Sequence, residues 1–112
     1  DISSVQKLPV TNLHDCVSKP TKDGLKDSFQ SQSGEDELLL SIFDDKCCGG
    51  TYVEMGALDG KLYSNTYVLN QHFDWKGVLI EAAPRYYERL VENRPSEIAN
   101  VHAAVCNHPQ KV

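Results

Sequence analysis

The chain has 112 residues, 40% apolar and 24% charged, with a formal net charge of −5. That length and balance describe one small globular domain, which buries roughly two-thirds of the surface its unfolded chain exposes. The negative charge argues against a general nucleic-acid binder, and no apolar run approaches the ~20 residues of a membrane-crossing helix. The acidity is uneven. Residues 1–48 hold 5 Lys and 9 acids, a net of −4, and residues 49–112 hold 6 basic and 7 acidic side chains, a net of −1.

Residues 1–30 lack periodicity and contain Pro9, Pro20 and Gly24, so they read as a linker or a loosely docked arm. Order is expected from Ser31-Gln-Ser-Gly-Glu-Asp36, where Ser33 and Asp36 have capping-box spacing. Leu38, Leu39, Ile42 and Phe43 then recur at helical spacing, which predicts a short amphipathic helix over 35–45. Thr51–Met55 is β-rich and is expected to be a buried strand, with a turn at Gly56–Tyr63 and a second helix over Asn65–Phe73. Trp75-Lys-Gly77 leads into a strand at Val78–Glu81. Pro84 suits the first position of a helix carrying Tyr87, Leu90 and Val91, which Arg94-Pro95 ends. Val101–Val105 is the third predicted strand. The order helix-β-α-β-α-β predicts an α/β fold with parallel strands arranged 3-2-1 and right-handed crossovers.

Cys16, Cys47, Cys48 and Cys106 form no C-x-x-C pair, so zinc-type ligand spacing is missing. They read as ordinary thiols, with a Cys16–Cys106 bridge as the alternative in a secreted protein. His14 and His108 fall in loops, His72 in a helix and His102 in a strand, and none has the setting of a general base.

The turn Gly56-Ala-Leu-Asp-Gly60 follows a strand, as a nucleotide-type cofactor requires. It lacks the dinucleotide fingerprint, because Leu58 stands where a glycine is needed. Asp59 and Glu81 are 22 residues apart, near the spacing that puts an acid at the end of the second strand of a βαβ unit. Glu81 reads either as a ribose-binding carboxylate or as a solvated strand end. Asp59 reads either as a ligand contact or as a cap for the helix after it.

Ser31-Gln-x-Gly-Glu-Asp36, Val53-Glu-x-Gly-Ala-x-Asp-Gly60, Ser64-Asn-Thr66, Trp75-x-Gly-Val-Leu-Ile-Glu81, Pro84, Asn93-Arg-Pro95 and Ala104-Val105-Cys106 together resemble the FkbM family of S-adenosyl-L-methionine-dependent methyltransferases. The resemblance covers about residues 31–108. It implies a Rossmann-like class I methyltransferase sandwich, of which residues 31–112 would form the N-terminal, cofactor-binding half. The implied reaction is methyl transfer to a hydroxyl oxygen of a small-molecule or glycan acceptor. Glu54, Gly56, Ala57, Asp59 and Gly60 match the first-strand motif beside the methionine moiety. Glu81 matches the ribose-binding acid, and Ala82 would lie near the adenine. Ala104 and Val105 match the strand end where the adenine edge is read, although the acid common there is absent. Gln32 and Asn65 belong to family motifs with a positioning role. Some relatives look like non-catalytic trafficking factors, so a protein-interaction domain is the alternative. Half of such a fold would leave its first strand unpaired, which favours self-association through that edge and predicts no turnover by these residues alone.

Overall fold

The structure, a computed structural model, describes residues 13–16, 21–43 and 48–108. The remainder of the predicted arm and residues 44 and 45 of the predicted first helix lie outside the described residues. The elements, in chain order, are α1 (Lys22–Leu25) running into a 3-10 turn (Lys26–Ser28), α2 (Glu35–Phe43), β1 (Thr51–Met55), α3 (Tyr67–His72), β2 (Lys76–Glu81), α4 (Pro84–Asn93) and β3 (Ala99–His102). The three strands form one parallel sheet in the order β1-β2-β3, with helices packed on it. This is the α/β architecture that the alternation of elements predicts.

The parallel register pairs Val53 with Val78 and Met55 with Ile80, then Val78 with Ala99 and Ile80 with Val101. Paired residues share a face, so the sheet has two distinct sides. One carries Tyr52, Glu54, Leu79, Glu81, Asn100 and His102. Leu79 on this side meets Leu90 of α4 and Ala57 in a fully buried cluster. A larger cluster joins Val68, Leu69 and Phe73, around α3, to Trp75, Leu25 and Cys48, and Tyr52 packs against both clusters.

The opposite side is largely apolar and bare, with Thr51 and Lys76 at one end of it. Val53 is 68% exposed, Met55 63% and Val101 37%, with Val78 and Ile80 half-buried between them. This corrects the expectation of a buried β1. Buried parallel strands need cover on both faces, and the described helices cover only one.

Element ends differ from the sequence expectations for local reasons. Ser31, rather than Ser33, caps α2. Its hydroxyl accepts the Asp36 N–H at 3.1 Å, while Asp36 Oδ2 accepts the N–H groups of Gln30 at 2.9 Å and Ser31 at 3.2 Å. Asp36 is thereby buried with its charge met by backbone donors. Helix α3 starts at Tyr67 because Ser64 Oγ accepts the N–H groups of Thr66 and Tyr67. Strand β3 ends at His102, which places Ala104 and Val105 beyond it.

The stretch before α2 is more closely packed than its lack of periodicity suggests. Leu25 is in the core, and Leu13, Cys16 and Phe29 pack against the same cluster. A disulfide joins Cys16 to Cys48. The ordinary-thiol reading is therefore corrected for Cys16 and Cys48, and the Cys16–Cys106 alternative with it, since Cys106 is free and exposed; Cys47 lies outside the described residues. The deciding contact is the antiparallel bridge between His14 and Cys48, which no spacing rule reveals.

Candidate functional site

Parallel α/β sheets gather ligand-binding loops at the carboxyl ends of their strands. Here that end holds the turn after β1, the exit of β2 and the segment after β3. Gly56 takes φ +64° and Gly60 φ +84°, a backbone region that glycine enters without strain. At Gly56 an added Cβ would meet nothing within 4 Å. At Gly60 it would stand 2.6 Å from Arg94 Cγ and 2.8 Å from Leu90 Cδ1. One glycine leaves the turn open, and the other lets α4 close on it. Leu58 between them also has positive φ, at 53°. Such a conformation costs a leucine about 1–2 kcal/mol and persists where surrounding contacts impose it.

Glu81 supplies one of those contacts. Its Oε1 accepts the Leu58 N–H at 2.7 Å, and its Oε2 accepts the Ala83 N–H at 2.8 Å. The carboxylate is only 6% exposed and ties the β1 turn to the β2 exit. The Ala103 N–H donates to the Glu81 carbonyl at 3.1 Å, which continues the β2–β3 ladder by one step and holds the strand exits side by side. Ala82 is half-buried, and its carbonyl lies 3.0 Å from His102 Nε2. Ala104 and Val105 are exposed just past this point. Thus Gly56, Ala57, Gly60, Glu81, Ala82, Ala104 and Val105 belong to one end of the sheet.

Glu54 and Asn65 fall in a different arrangement. Glu54 Oε1 accepts the Asn65 N–H at 2.8 Å, Oε2 accepts the Thr66 hydroxyl at 2.9 Å, and the Ser64 hydroxyl donates to both oxygens at 3.2 and 3.0 Å. The Ser64-Asn-Thr66 motif therefore folds around this carboxylate, just ahead of α3. The Asn65 side chain accepts from the Ser31 hydroxyl at 2.6 Å, which ties the α2 cap into the same cluster. Asp59 serves its own turn, accepting the N–H groups of Lys61 at 2.9 Å and Leu62 at 2.7 Å. The helix that follows is capped by Ser64 instead.

Arg94 organises both regions, although the sequence marks it only as a helix stop and as part of the Asn93-Arg-Pro95 motif. Its side chain is fully buried. Nη1 donates to the Gly60 carbonyl at 2.7 Å and to Ser64 Oγ at 3.3 Å. Nη2 donates to the Tyr52 and Thr66 hydroxyls at 2.8 and 2.9 Å and pairs with Glu97 at 3.3 Å. Ser64 and Thr66 thus bridge a buried cation to Glu54. Tyr52 donates its hydroxyl to Glu97, and burial together with this bond pushes its phenol well above the usual tyrosine range, against the opposing pull of Arg94. A phenol pinned this way stays neutral. The available signals were a tyrosine two residues before Glu54 on the same sheet face and an arginine directly after α4; neither spacing reveals that they meet.

The described residues contain no group of three or more His, Cys, Asp or Glu able to hold a metal, and no described helix is long and apolar enough to cross a membrane. Compared with family models, curated proteins and solved structures, the chain matches none.

Proposed function

We propose that this domain binds S-adenosyl-L-methionine at the carboxyl end of the sheet and is the cofactor-binding part of an O-methyltransferase acting on a hydroxyl of a small-molecule or glycan acceptor. The observation that carries the reading is the Glu81 bridge between the open turn at Gly56 and the β2 exit. An ionised carboxylate accepts about four hydrogen bonds, and the described contacts of Glu81 use two, so its remaining acceptor capacity fits two donating ribose hydroxyls. Gly56 fits close approach of a ligand, because the direction a side chain would take is empty. Ala82, Ala104 and Val105 offer small and apolar surface for a purine.

The bound cofactor supplies a methyl group already activated on a sulfonium. The chain's own task is orientation. Glu81 holds the ribose while the Leu58 amide holds Glu81. Arg94 holds the far side of the same turn through the Gly60 carbonyl. No histidine is poised as a base here: His72 Nε2 is engaged with Ser28 at 2.8 Å, and the His102 ring packs on Tyr87.

Calorimetric titration of the protein with S-adenosylhomocysteine tests the reading. Glu81→Ala is expected to weaken binding about tenfold or more, since charge-assisted bonds contribute roughly 1.5–3 kcal/mol each. Unchanged affinity in a folded variant removes Glu81 from the site.

The bare sheet face favours a second reading, a non-catalytic interaction domain. Val53 and Met55 on β1 and Val101 on β3 stand exposed on the uncovered face of the sheet. On this reading the chain self-associates through β1, and mass measurement in solution separates monomer from dimer.

A further inference from the structure

We infer that this domain is built for an oxidising compartment, with the Cys16–Cys48 disulfide as the clasp that holds the segment ahead of β1 on the core. The bridge spans 32 positions of sequence and encloses α1 and α2. Cys48 is only 7% exposed, in the cluster with Leu25, Val68, Leu69, Phe73 and Trp75, and Cys16 packs against that cluster. The clasp is aligned by backbone as well: His14 N–H donates to the Cys48 carbonyl at 2.9 Å, and Cys48 N–H donates back at 3.2 Å. At its other end the same segment is joined to α3 and the loop before it by Ser28–His72 at 2.8 Å and Ser31–Asn65 at 2.6 Å. These are exchangeable hydrogen bonds, whereas the disulfide ties Cys16 covalently to Cys48, which is seated in the core just ahead of β1.

Forming the bridge removes two electrons and two protons from the Cys16 and Cys48 thiols. They pass to a disulfide oxidant, oxidised glutathione or a disulfide oxidoreductase, which leaves as two thiols. Cytosolic glutathione and thioredoxin keep such pairs reduced, whereas secretory and extracellular compartments sustain them. Burial of Cys48 shields the bridge from an attacking thiolate. Cys106, exposed and free beyond β3, stays outside the pairing.

The test is disulfide mapping of the whole chain, folded in glutathione buffer at about −200 mV, alkylated, and digested without reduction. The expected product is one peptide pair linking Cys16 to Cys48, with Cys47 and Cys106 alkylated. Cys106→Ser is expected to leave the thermal midpoint within about 2 °C, and dithiothreitol to lower it by about 10 °C or more. The native protein, acid-quenched and alkylated in the cells that make it, should show the same linkage. Four alkylated thiols in either sample, a bridge through Cys47 or Cys106, or a midpoint insensitive to reduction overturns the inference.

Discussion

Arg94 Nη1 donates a 2.7 Å hydrogen bond to the carbonyl of Gly60, so the residue just past α4 fixes the turn that follows β1. The two are 34 positions apart in sequence. Gly60 has no side chain to obstruct the approach, and Arg94 has no exposure to solvent. The same guanidinium reaches Ser64, Thr66, Tyr52 and Glu97, which couples the turn to the start of α3.

Arg94→Met should therefore be severe. It would leave Glu97 without its ion pair and several polar groups without a donor. Removing one partner of a buried pair costs about 3–5 kcal/mol. Arg94→Lys should restore little of this, because one ammonium cannot reproduce the planar fork. Urea unfolding with far-UV detection measures both. A lysine variant of wild-type stability would mean that charge alone suffices.

The turn glycines should separate in the same assay. Gly60→Ala places a methyl group against Arg94 and Leu90 at positive φ, and about 3 kcal/mol of destabilisation is expected. Gly56→Ala meets open space and carries only the backbone term, about 1 kcal/mol. Its effect should appear in ligand affinity instead. Equal losses of stability would show that the open side of the turn is not open in solution.

Most of the fold could be read from the chain, because strands and helices leave periodic marks. The β-rich run at Thr51, the proline at Pro84 and the glycine turn each act locally, and the elements from α2 onward stand within a few residues of their expected places, whereas α1 and the 3-10 turn fall in the stretch read as a linker. The placement of Glu81 and Gly56 at the carboxyl end of the sheet was readable for the same reason: Glu81 ends a strand, and Gly56 follows one. The polar core was not. Tyr52, Ser64, Thr66, Arg94 and Glu97 meet only after two crossovers have formed. The disulfide stayed hidden similarly, since His14 and Cys48 become neighbours only through tertiary packing. A buried arginine also runs against composition-based expectation, which places that side chain at the surface.

Tyr52 carries a pH signature. Burial and the bond to Glu97 raise its phenol pKa in the folded state above the ordinary value near 10. A raised folded pKa contributes stability that is fully present below the unfolded pKa and is lost as pH rises through the folded one. Stability should therefore be flat in this term up to about pH 10 and fall above it. Tyr52→Phe should lose stability at neutral pH yet show a shallower alkaline decline. Thermal midpoints of both proteins from pH 8 to 12 check the crossing of slopes. Parallel curves would assign the alkaline transition to other groups.

The bare face of the sheet leads to the last prediction. Val53 and Met55 lie on the side away from α4 and Tyr52, at 68% and 63% exposure. Val53 is mostly exposed, so Val53→Lys should leave the unfolding free energy within about 0.5 kcal/mol of wild type. It should also oppose association, because lysine on an edge strand discourages pairing with another chain. Sedimentation velocity across a hundredfold concentration range is the measurement. Wild type is expected to shift toward larger species as concentration rises, and the variant to remain monomeric. If both stay monomeric, the apolar face does not drive self-association and the interaction reading loses its support. If both associate equally, the contact lies elsewhere on the domain.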